Sequence, residues 1–165
     1  MPATMERLWA PWRMEYIGGG PPVGCIFCER PKLGDDREAL IVARRERVYA
    51  ILNRFPYNNG HLMIVPYRHV ADLAELDAAE RLALFDTASE AVSVLRDAMG
   101  PEGFNLGVNL GRVAGAGVAD HLHLHVVPRW NGDTNFMPVT GLAKVISQHL
   151  LDTQAALAPR FAATR

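Results

Sequence analysis

The chain carries the stretch His121-Leu122-His123-Leu124-His125-Val126-Val127, in which histidines alternate with apolar residues. An alternation of period two is typical of a strand, whose successive side chains point to opposite faces. The three imidazoles therefore share one face, about 6.5–7 Å apart, while Leu122, Leu124 and Val126 enter the core. Three groups that titrate near neutral pH are a poor choice for a face that is merely solvated. The stretch thus predicts a site of chemistry on one strand of a sheet.

Further strands are predicted on both sides of this stretch. The segments are short, rich in Val, Ile, Leu and Tyr, and bounded by charged or turn-forming residues. With the histidine strand at 121–127, they cover residues 39–43, 48–53, 61–65 and 104–110. The turn at 55–60 is too short for a crossover connection, so the strands that it joins are expected to be antiparallel neighbours.

The longest predicted helix covers residues 78–99. Asp77 and Glu80 form a start that resembles a capping box, and Gly100-Pro101 ends the helix. Steps of three and four mark one apolar stripe, expected to be buried, which contains Leu82, Phe85, Ala88, Val92, Leu95 and Met99. A last helix is predicted over 142–157. Strands clustered around a long helix predict an α+β fold with an antiparallel sheet.

Composition narrows the class of protein. The 165 residues predict a single domain, 1–165, with an aromatic N-terminal arm at 1–22 that ends in a run of Gly and Pro. A formal net charge of −1 argues against a protein that coats nucleic acid or a membrane surface. No apolar run approaches the roughly 18–20 residues of a membrane span, and no signal peptide is evident. We therefore expect a soluble, cytoplasmic domain that binds neither nucleic acid nor membrane.

Two kinds of chemistry fit three imidazoles on one face. One is a tri-histidine metal site in which zinc activates a water. The other is attack on a phosphate ester by one imidazole, while its neighbours fix its tautomer and bind the anion. The glycine-rich loop at 111–117 would then supply N–H groups to phosphate oxygens. The residues by themselves leave both uses open.

The histidine stretch resembles the His-φ-His-φ-His-φ-φ signature of the histidine triad (HIT) family of nucleotide-binding hydrolases and transferases. Asn53 and the segment Gly60-His61-Leu62-Met63-Ile64-Val65-Pro66 resemble the hairpin motif of the same family. The arm at 8–17 and the tail at 128–136 resemble the bacterial branch related to diadenosine tetraphosphate phosphorylases. The resemblance implies a HIT-like antiparallel sheet with a long packing helix and a C-terminal helix, a nucleotide substrate, and a homodimer.

The resemblance also implies roles for individual residues. His123 would be the nucleophile that takes a nucleoside monophosphate from the α-phosphate and forms a covalent nucleotidyl-histidine. His125 would hydrogen-bond near the scissile phosphate, and His61 would orient the triad from the neighbouring strand. Further nucleotide contacts are implied for Asn53 at the ribose hydroxyls, for Asn109 near the phosphates, and for Gly117.

One departure from the family pattern concerns the leaving group. Gly117-Val118-Ala119 stands where family members often carry Gln-Ser/Thr-Val, so a hydroxyl that would assist the leaving group is missing. The implied function is cleavage of a nucleoside polyphosphate, with diadenosine tetraphosphate phosphorylase or hydrolase activity. The alternatives are an adenosine 5′-phosphoramidase, which would use the same residues, and a non-catalytic nucleotide-binding module.

The two cysteines lie in Cys25-Ile26-Phe27-Cys28, which has the spacing of a zinc knuckle. The same spacing serves redox exchange, and two ordinary reduced thiols are a third interpretation. Zinc-containing family members, and the related galactose-1-phosphate uridylyltransferases, use two cysteines, a histidine beyond the hairpin strand and the first triad histidine. The resemblance therefore implies a structural Zn²⁺ held by Cys25, Cys28, His69 and His121, which would leave His121 unavailable for catalysis.

Overall fold

A computed structural model describes residues 24–134, 146 and 148–164. Within these residues, one antiparallel sheet contains five strands: β1 (Ile41–Arg44), β2 (Val48–Leu52), β3 (Leu62–Pro66), β4 (Gly103–Val108) and β5 (Leu124–Arg129). Their order in the sheet is β1-β2-β3-β5-β4. The α-helices among the described residues are α1 (Ile26–Glu29), α2 (Asp36–Ala39), α3 (Ala78–Met99) and α4 (Leu150–Ala163). Short 3₁₀ helices cover Arg30–Lys32, Leu73–Glu75 and Arg112–Ala114. The predicted α+β class with an antiparallel sheet is confirmed.

The histidine strand lies inside the sheet, between β3 and β4. His125 is opposite Met63 on one side and Gly107 on the other. The strand begins at Leu124, three residues later than predicted, because the chain before it bonds to the segment after β3: Leu122 N donates to Val70 O at 2.7 Å. The alternation of faces nevertheless extends through the whole stretch. The predicted hairpin is also present, since β2 and β3 pair in continuous register.

Helix α3 has the predicted ends. The Asp77 side chain accepts from Glu80 N, the Glu80 side chain accepts from Asp77 N, and Gly100 closes the helix in the left-handed region at φ 58°. A Glu80 carboxylate in the first turn also suits the positive end of the helix dipole. Local sequence signals were therefore sufficient to locate this helix.

The predicted buried stripe of α3 is partly wrong. Leu82 and Phe85 are 62% and 57% exposed. Ala88 and Leu95 are buried as predicted, and the other buried apolar residues are Leu84, Ala91 and Val94. Two adjacent sides of this helix carry apolar residues at steps of three and four, so the sequence pattern fits both. The positions of the sheet and of α4 determine which side is buried.

The last helix begins later and ends later than predicted. Residues 142–145 lie outside the described part of the chain, and α4 runs from Leu150 to Ala163. His149 precedes it as the N-cap, and its ring accepts from Leu151 N at 3.3 Å. The helix continues past residue 157 because Phe161, 1% exposed, still packs into the main core. The predicted N-terminal arm, residues 1–22, also lies outside the described residues.

The sheet separates two apolar clusters. The larger lies between the sheet and the helices α3 and α4, and it includes Leu122, Leu124 and Val126 as predicted. The smaller lies on the opposite face around Phe27 and Tyr49. The triad imidazoles therefore share the face of the smaller cluster. Within the described residues, no helix is both long enough and apolar enough to cross a membrane.

Candidate active site and metal centre

The triad histidines are buried side by side on the sheet. His121, His123 and His125 are 0%, 5% and 8% exposed. Phe27 covers two of them, with its ring centroid 5.5 Å from that of His121 and 4.9 Å from that of His123. A buried imidazole is costly to protonate, so burial favours the neutral form of these rings.

His123 is fixed in one tautomer by the backbone. Its Nδ1 lies 2.8 Å from His121 O, and a carbonyl oxygen only accepts, so Nδ1 carries the proton. Burial lowers the pKa of His123, and the ring is neutral at physiological pH. Its Nε2 therefore has an unprotonated lone pair, which is the state that a nucleophilic imidazole requires.

The proton positions on His61 and His125 follow from a chain of hydrogen bonds. Tyr57 N donates to His61 Nδ1 at 3.0 Å, so the His61 proton is on Nε2. That Nε2 donates to His125 Nδ1 at 2.9 Å, which leaves the His125 proton on its own Nε2. Burial, followed by the nearby His123, lowers the pKa of His125 to about 4. His125 therefore presents a neutral N–H donor.

The Nε2 donor of His125 is buried and has no partner among the described residues. A buried donor without an acceptor costs roughly 1–3 kcal/mol, so a ligand that supplies an acceptor would bind favourably. His125 also lines a cavity of about 310 Å³ on the triad face. Other residues around this cavity are Tyr57, Asn58, Asn105, Asn109 and Arg129.

The structure brings only some of the predicted nucleotide contacts to this cavity. Of the residues for which the resemblance implies nucleotide contacts, Asn109 and His125 line it. Asn53 lies at the start of the hairpin loop, where its Oδ1 accepts from Phe55 N at 2.9 Å and its Nδ2 lies 3.4 Å from His61 Nδ1. Asn53 and Gly117 are not among the lining residues. Gly117 lies instead in the exposed glycine-rich loop.

Sequence reasoning missed a polar cluster at the outer end of the cavity. Arg129 forms an ion pair with Asp133, and Asn58 donates to the same carboxylate at 2.6 Å. The available sequence signal was the pair Arg129 and Asp133, a cation and an anion four residues apart directly after the histidine stretch. Asn58 lies in the predicted turn at 55–60, and no local pattern connects it to its partner, which lies 75 residues away in the sequence.

The residues implied as metal ligands converge from three separate segments. Cys25 and Cys28 flank the start of α1, His69 follows β3, and His121 precedes β5. Their ligand atoms all lie within 4.8 Å of one another. Cys25 Sγ is 3.3 Å from His121 Nδ1, Cys28 Sγ is 3.4 Å from His69 Nδ1, and the two Nδ1 atoms are 3.2 Å apart.

The tautomer of His121 suits a metal ligand. Its Nε2 lies 2.9 Å from Pro66 O and must carry the proton, which leaves a lone pair on Nδ1 towards the cysteines. Such an outer hydrogen bond to a carbonyl is the usual way of orienting a ligating histidine. Two thiolates and two imidazoles match the closed, tetrahedral donor set of structural zinc. The three triad rings cannot share one ion in this arrangement, because both ring nitrogens of His121 are engaged elsewhere: Nε2 bonds to Pro66 O, and Nδ1 faces the cysteines.

Comparison with known proteins agrees with this geometry. Residues 35–132 match the sequence model of the HIT domain. The chain belongs to the histidine triad family. It is 46% identical over 167 aligned residues to the AP-4-A phosphorylase of Mycobacterium tuberculosis, an alignment that covers 96% of this chain and 85% of that protein. The expected resemblance to this branch of HIT enzymes is therefore confirmed.

Two solved HIT structures share the fold. The zinc-bound histidine triad family protein of Mycobacterium smegmatis has a TM-score of 0.67 and 22% identity, covering 86% of this chain and 95% of that one. A hypothetical histidine triad nucleotide-binding protein of Sulfolobus tokodaii has a TM-score of 0.67 and 26% identity, covering 84% and 93%. The HIT-like architecture expected from the sequence is therefore confirmed.

Proposed function

We propose that this HIT protein cleaves nucleoside polyphosphates, with diadenosine tetraphosphate as the main substrate, by transferring a nucleoside monophosphate to His123. The observation that carries the proposal is the pairing of two fixed tautomers. His123 offers an unprotonated Nε2, and the adjacent His125 offers an unpartnered Nε2–H. The 46% identity to an AP-4-A phosphorylase supports the choice of substrate.

The first step forms one bond and breaks one. The Nε2 lone pair of His123 attacks the α-phosphorus, and the bond from that phosphorus to its bridging oxygen breaks. The AMP moiety stays on His123 and ATP leaves. The Nδ1–H bond to His121 O stabilises the positive charge that develops on the ring. His125 Nε2–H donates to a phosphate oxygen, where negative charge accumulates.

The second step releases the nucleotide from His123. Inorganic phosphate as the acceptor gives ADP, and water gives AMP. In both cases the bond between phosphorus and His123 Nε2 breaks, and the nitrogen recovers its lone pair. Similarity to the phosphorylase branch favours phosphate as the acceptor.

The nucleotide-contact roles of Asn53, Asn109 and Gly117 belong to the same proposal. Asn109 has the strongest support, because it lines the cavity together with His125. His61 acts through His125, as a positioning residue that fixes the donor on Nε2.

The four-ligand cluster holds a structural Zn²⁺. The convergence of two Sγ and two Nδ1 atoms supports this assignment. Cys25, Cys28, His69 and His121 would bind the ion, and it would supply no step of the reaction because no coordination position stays open. It would tie α1 and the segment after β3 to the strand that carries His123.

The protein acts as a homodimer. Exposed apolar residues at two places support this state. Leu82 and Phe85 are uncovered on α3, and Leu106 is 46% exposed on β4, which is an edge strand of the sheet that the described residues form. An unpaired edge and exposed large apolar side chains favour association with a second copy. A cytoplasmic location stays a prediction from the sequence.

A rapid-quench experiment tests the mechanism, with diadenosine tetraphosphate that carries a label in its AMP moieties. We expect a transient AMP adduct that mass mapping assigns to His123, and its absence from His123→Asn. Products analysed with and without inorganic phosphate identify the acceptor. An adduct on another residue, or turnover unchanged in His123→Asn, would refute the mechanism.

A further inference from the structure

Arg129 holds a fixed orientation at the end of the cavity away from His125. It follows His125 by four residues on the same face of β5, about 13 Å further along the strand. Its Nε and Nη2 donate to the two carboxylate oxygens of Asp133 at 2.6 and 2.9 Å, and its Nη1 donates to Asn105 Oδ1 at 2.8 Å. Three hydrogen bonds therefore fix the plane of the guanidinium group.

Donor counting shows that Arg129 has capacity left for a ligand. A guanidinium carries five N–H bonds, and three of them are used by Asp133 and Asn105. No described residue accepts from the other two. The Arg129 side chain is 46% exposed and lines the cavity, whereas the Asp133 side chain is only 8% exposed. The cation therefore faces the cavity, and its counterion faces the protein.

Asp133 is itself held in place before any ligand arrives. Asn58 Nδ2 donates to it at 2.6 Å and Trp130 N at 3.2 Å. The Arg129 guanidinium first, and these two donors after it, hold the pKa of the Asp133 carboxyl well below its usual range, so the ion pair persists at physiological pH. The Arg129 side chain is thus already ordered in the free protein. Ligand binding does not have to reduce its conformational entropy, so the site is preorganised.

We propose that Arg129, oriented by Asp133 and Asn105, binds a phosphate group that lies beyond the scissile phosphate. His125 and Arg129 then line opposite ends of the cavity, the inner and the outer, with Val127 between them, and each has N–H capacity that no described residue uses. Planar, paired N–H groups match phosphate oxygens better than a lysine would. The identity of the cleaved substrate rests on the function proposed above, but phosphate binding at Arg129 does not require turnover.

Two sources of phosphate share this chemistry. One is the distal part of the leaving nucleoside triphosphate, and the other is the inorganic phosphate that accepts the nucleotide from His123. Both are tetrahedral oxyanions that would enter the outer half of the cavity.

The simplest competing role for the cluster of Arg129, Asp133, Asn105 and Asn58 is purely structural: it would link the hairpin loop to the end of β5 and stabilise the fold. Asn105→Asp separates the two roles. This variant keeps the Oδ1 acceptor for Arg129 and adds a negative charge, so a purely structural contact is preserved or strengthened. A phosphate bound to Arg129 is instead repelled.

Calorimetric titration of the full chain with inorganic tripolyphosphate tests the proposal. We expect Asn105→Asp to weaken binding by about tenfold or more, because a like charge is placed next to the ligand. Its unfolding temperature should be no lower than that of the wild type. The control Arg160→Gln removes one cation from α4, outside the cavity, and should bind within about twofold of the wild type. Wild-type affinity in Asn105→Asp, or no binding by the wild type, would overturn the proposal.

A second variant keeps the test decisive if Asn105→Asp does not fold. Arg129→Lys retains the positive charge and loses the paired N–H geometry. We expect it to weaken tripolyphosphate binding by about fivefold or more. Binding as tight as in the wild type would contradict the assignment of Arg129.

Steady-state kinetics of Asn105→Asp then identify the source of the phosphate. A raised KM for diadenosine tetraphosphate assigns the subsite to the leaving triphosphate, and a raised KM for inorganic phosphate assigns it to the acceptor. If neither KM changes, the subsite is refuted. Tripolyphosphate binding that depends on Asn105, in a protein that forms no adduct on His123, would refute the proposed function and leave the phosphate site standing.

Discussion

His61, directly before β3, donates from its Nε2 to His125 Nδ1 on the neighbouring β5 at 2.9 Å, and this bond determines which nitrogen of His125 carries the proton. His61 can donate there because Tyr57 N already occupies its Nδ1. A backbone amide in the hairpin loop thus sets the proton position on a ring of the triad. The hairpin contributes to the site through hydrogen bonding as well as through packing.

Replacing His61 should impair the chemical step more than substrate binding. In His61→Leu the Nδ1 atom of His125 loses its donor, and the ring can adopt the tautomer that presents a lone pair to phosphate. We expect kcat for diadenosine tetraphosphate to fall by roughly 10–100-fold, with a smaller change in KM. The matched control is His149→Leu, at the N-cap of α4. An equal loss of kcat in both variants would contradict the hydrogen-bond argument.

The hairpin turn places a strict demand on residue 60. Gly60 has φ +73°, and a Cβ there would lie 2.8 Å from Met99 Sδ and 3.0 Å from Leu95 Cδ2. Gly60→Ala should therefore lower the free energy of unfolding by about 2–4 kcal/mol, from overpacking and backbone strain together. The measurement is urea denaturation.

Gly34→Ala is the matched control for the substitution at residue 60. Gly34 has nearly the same φ, +77°, but nothing lies within 4 Å of its Cβ position. Its loss of stability should be about 1 kcal/mol, from the backbone term alone. If both variants lose the same stability, packing of the hairpin against α3 is not the cause.

The His125 pKa makes stability dependent on pH in a defined window. The folded value, about 4, lies below the ordinary value of 6.5, because burial disfavours the charged ring. Between these values the unfolded chain binds a proton at this residue and the folded chain does not. Stability therefore falls as the pH drops from about 6.5 to 4, by an amount on the order of 1–3 kcal/mol. Below pH 4, His125 should cause no further change in the free energy of unfolding.

Comparison with His125→Asn isolates the contribution of this one histidine. The variant should show a shallower loss of stability between pH 6.5 and 4 in urea denaturation, while other titrating groups act equally in both proteins. Parallel curves for the two proteins would show that His125 does not have a depressed pKa.

Metal removal should affect stability before it affects chemistry. Cys28→Ser removes one ligand atom of the cluster, and we expect the bound zinc, measured by elemental analysis, to fall from about one ion per chain towards zero. The unfolding temperature should fall by about 5 °C or more. Protein that is still folded should form the His123 adduct. Full zinc content in Cys28→Ser would disprove the ligand assignment.

The sequence predicted those features whose causes are local. Alternation of period two identified the histidine strand. Asp77 and Glu80 set the start of α3, and Gly100 sets its end, through contacts within one turn of each end. The buried face of α3 was predicted less well, because it depends on where the sheet lies. The cluster of Arg129 and Asn58 depends on a contact between distant segments, which no short pattern encodes.

The proposed nucleotide contact at Asn53 illustrates the same limit. Its residue type and position matched the family, but its side-chain oxygen is already bonded to Phe55 N within the loop. The side chain therefore has a local role that the motif by itself does not reveal. Asn109 lies on the cavity wall only because β4 pairs with β5 in the observed register.

The exposed apolar stripe on α3 leads to a prediction about assembly. Leu82 and Phe85 lie three residues apart, so they occupy the same side of the helix, and both are more than half exposed. Leu82→Asp combined with Phe85→Asp should convert the proposed homodimer to a monomer in light scattering, because burial of two carboxylates in an apolar interface is costly. The control is Leu33→Asp, a residue 49% exposed in the segment before α2, which should stay dimeric. A doubly substituted protein that stays dimeric would place the interface elsewhere, and a monomeric wild type would refute the dimer itself.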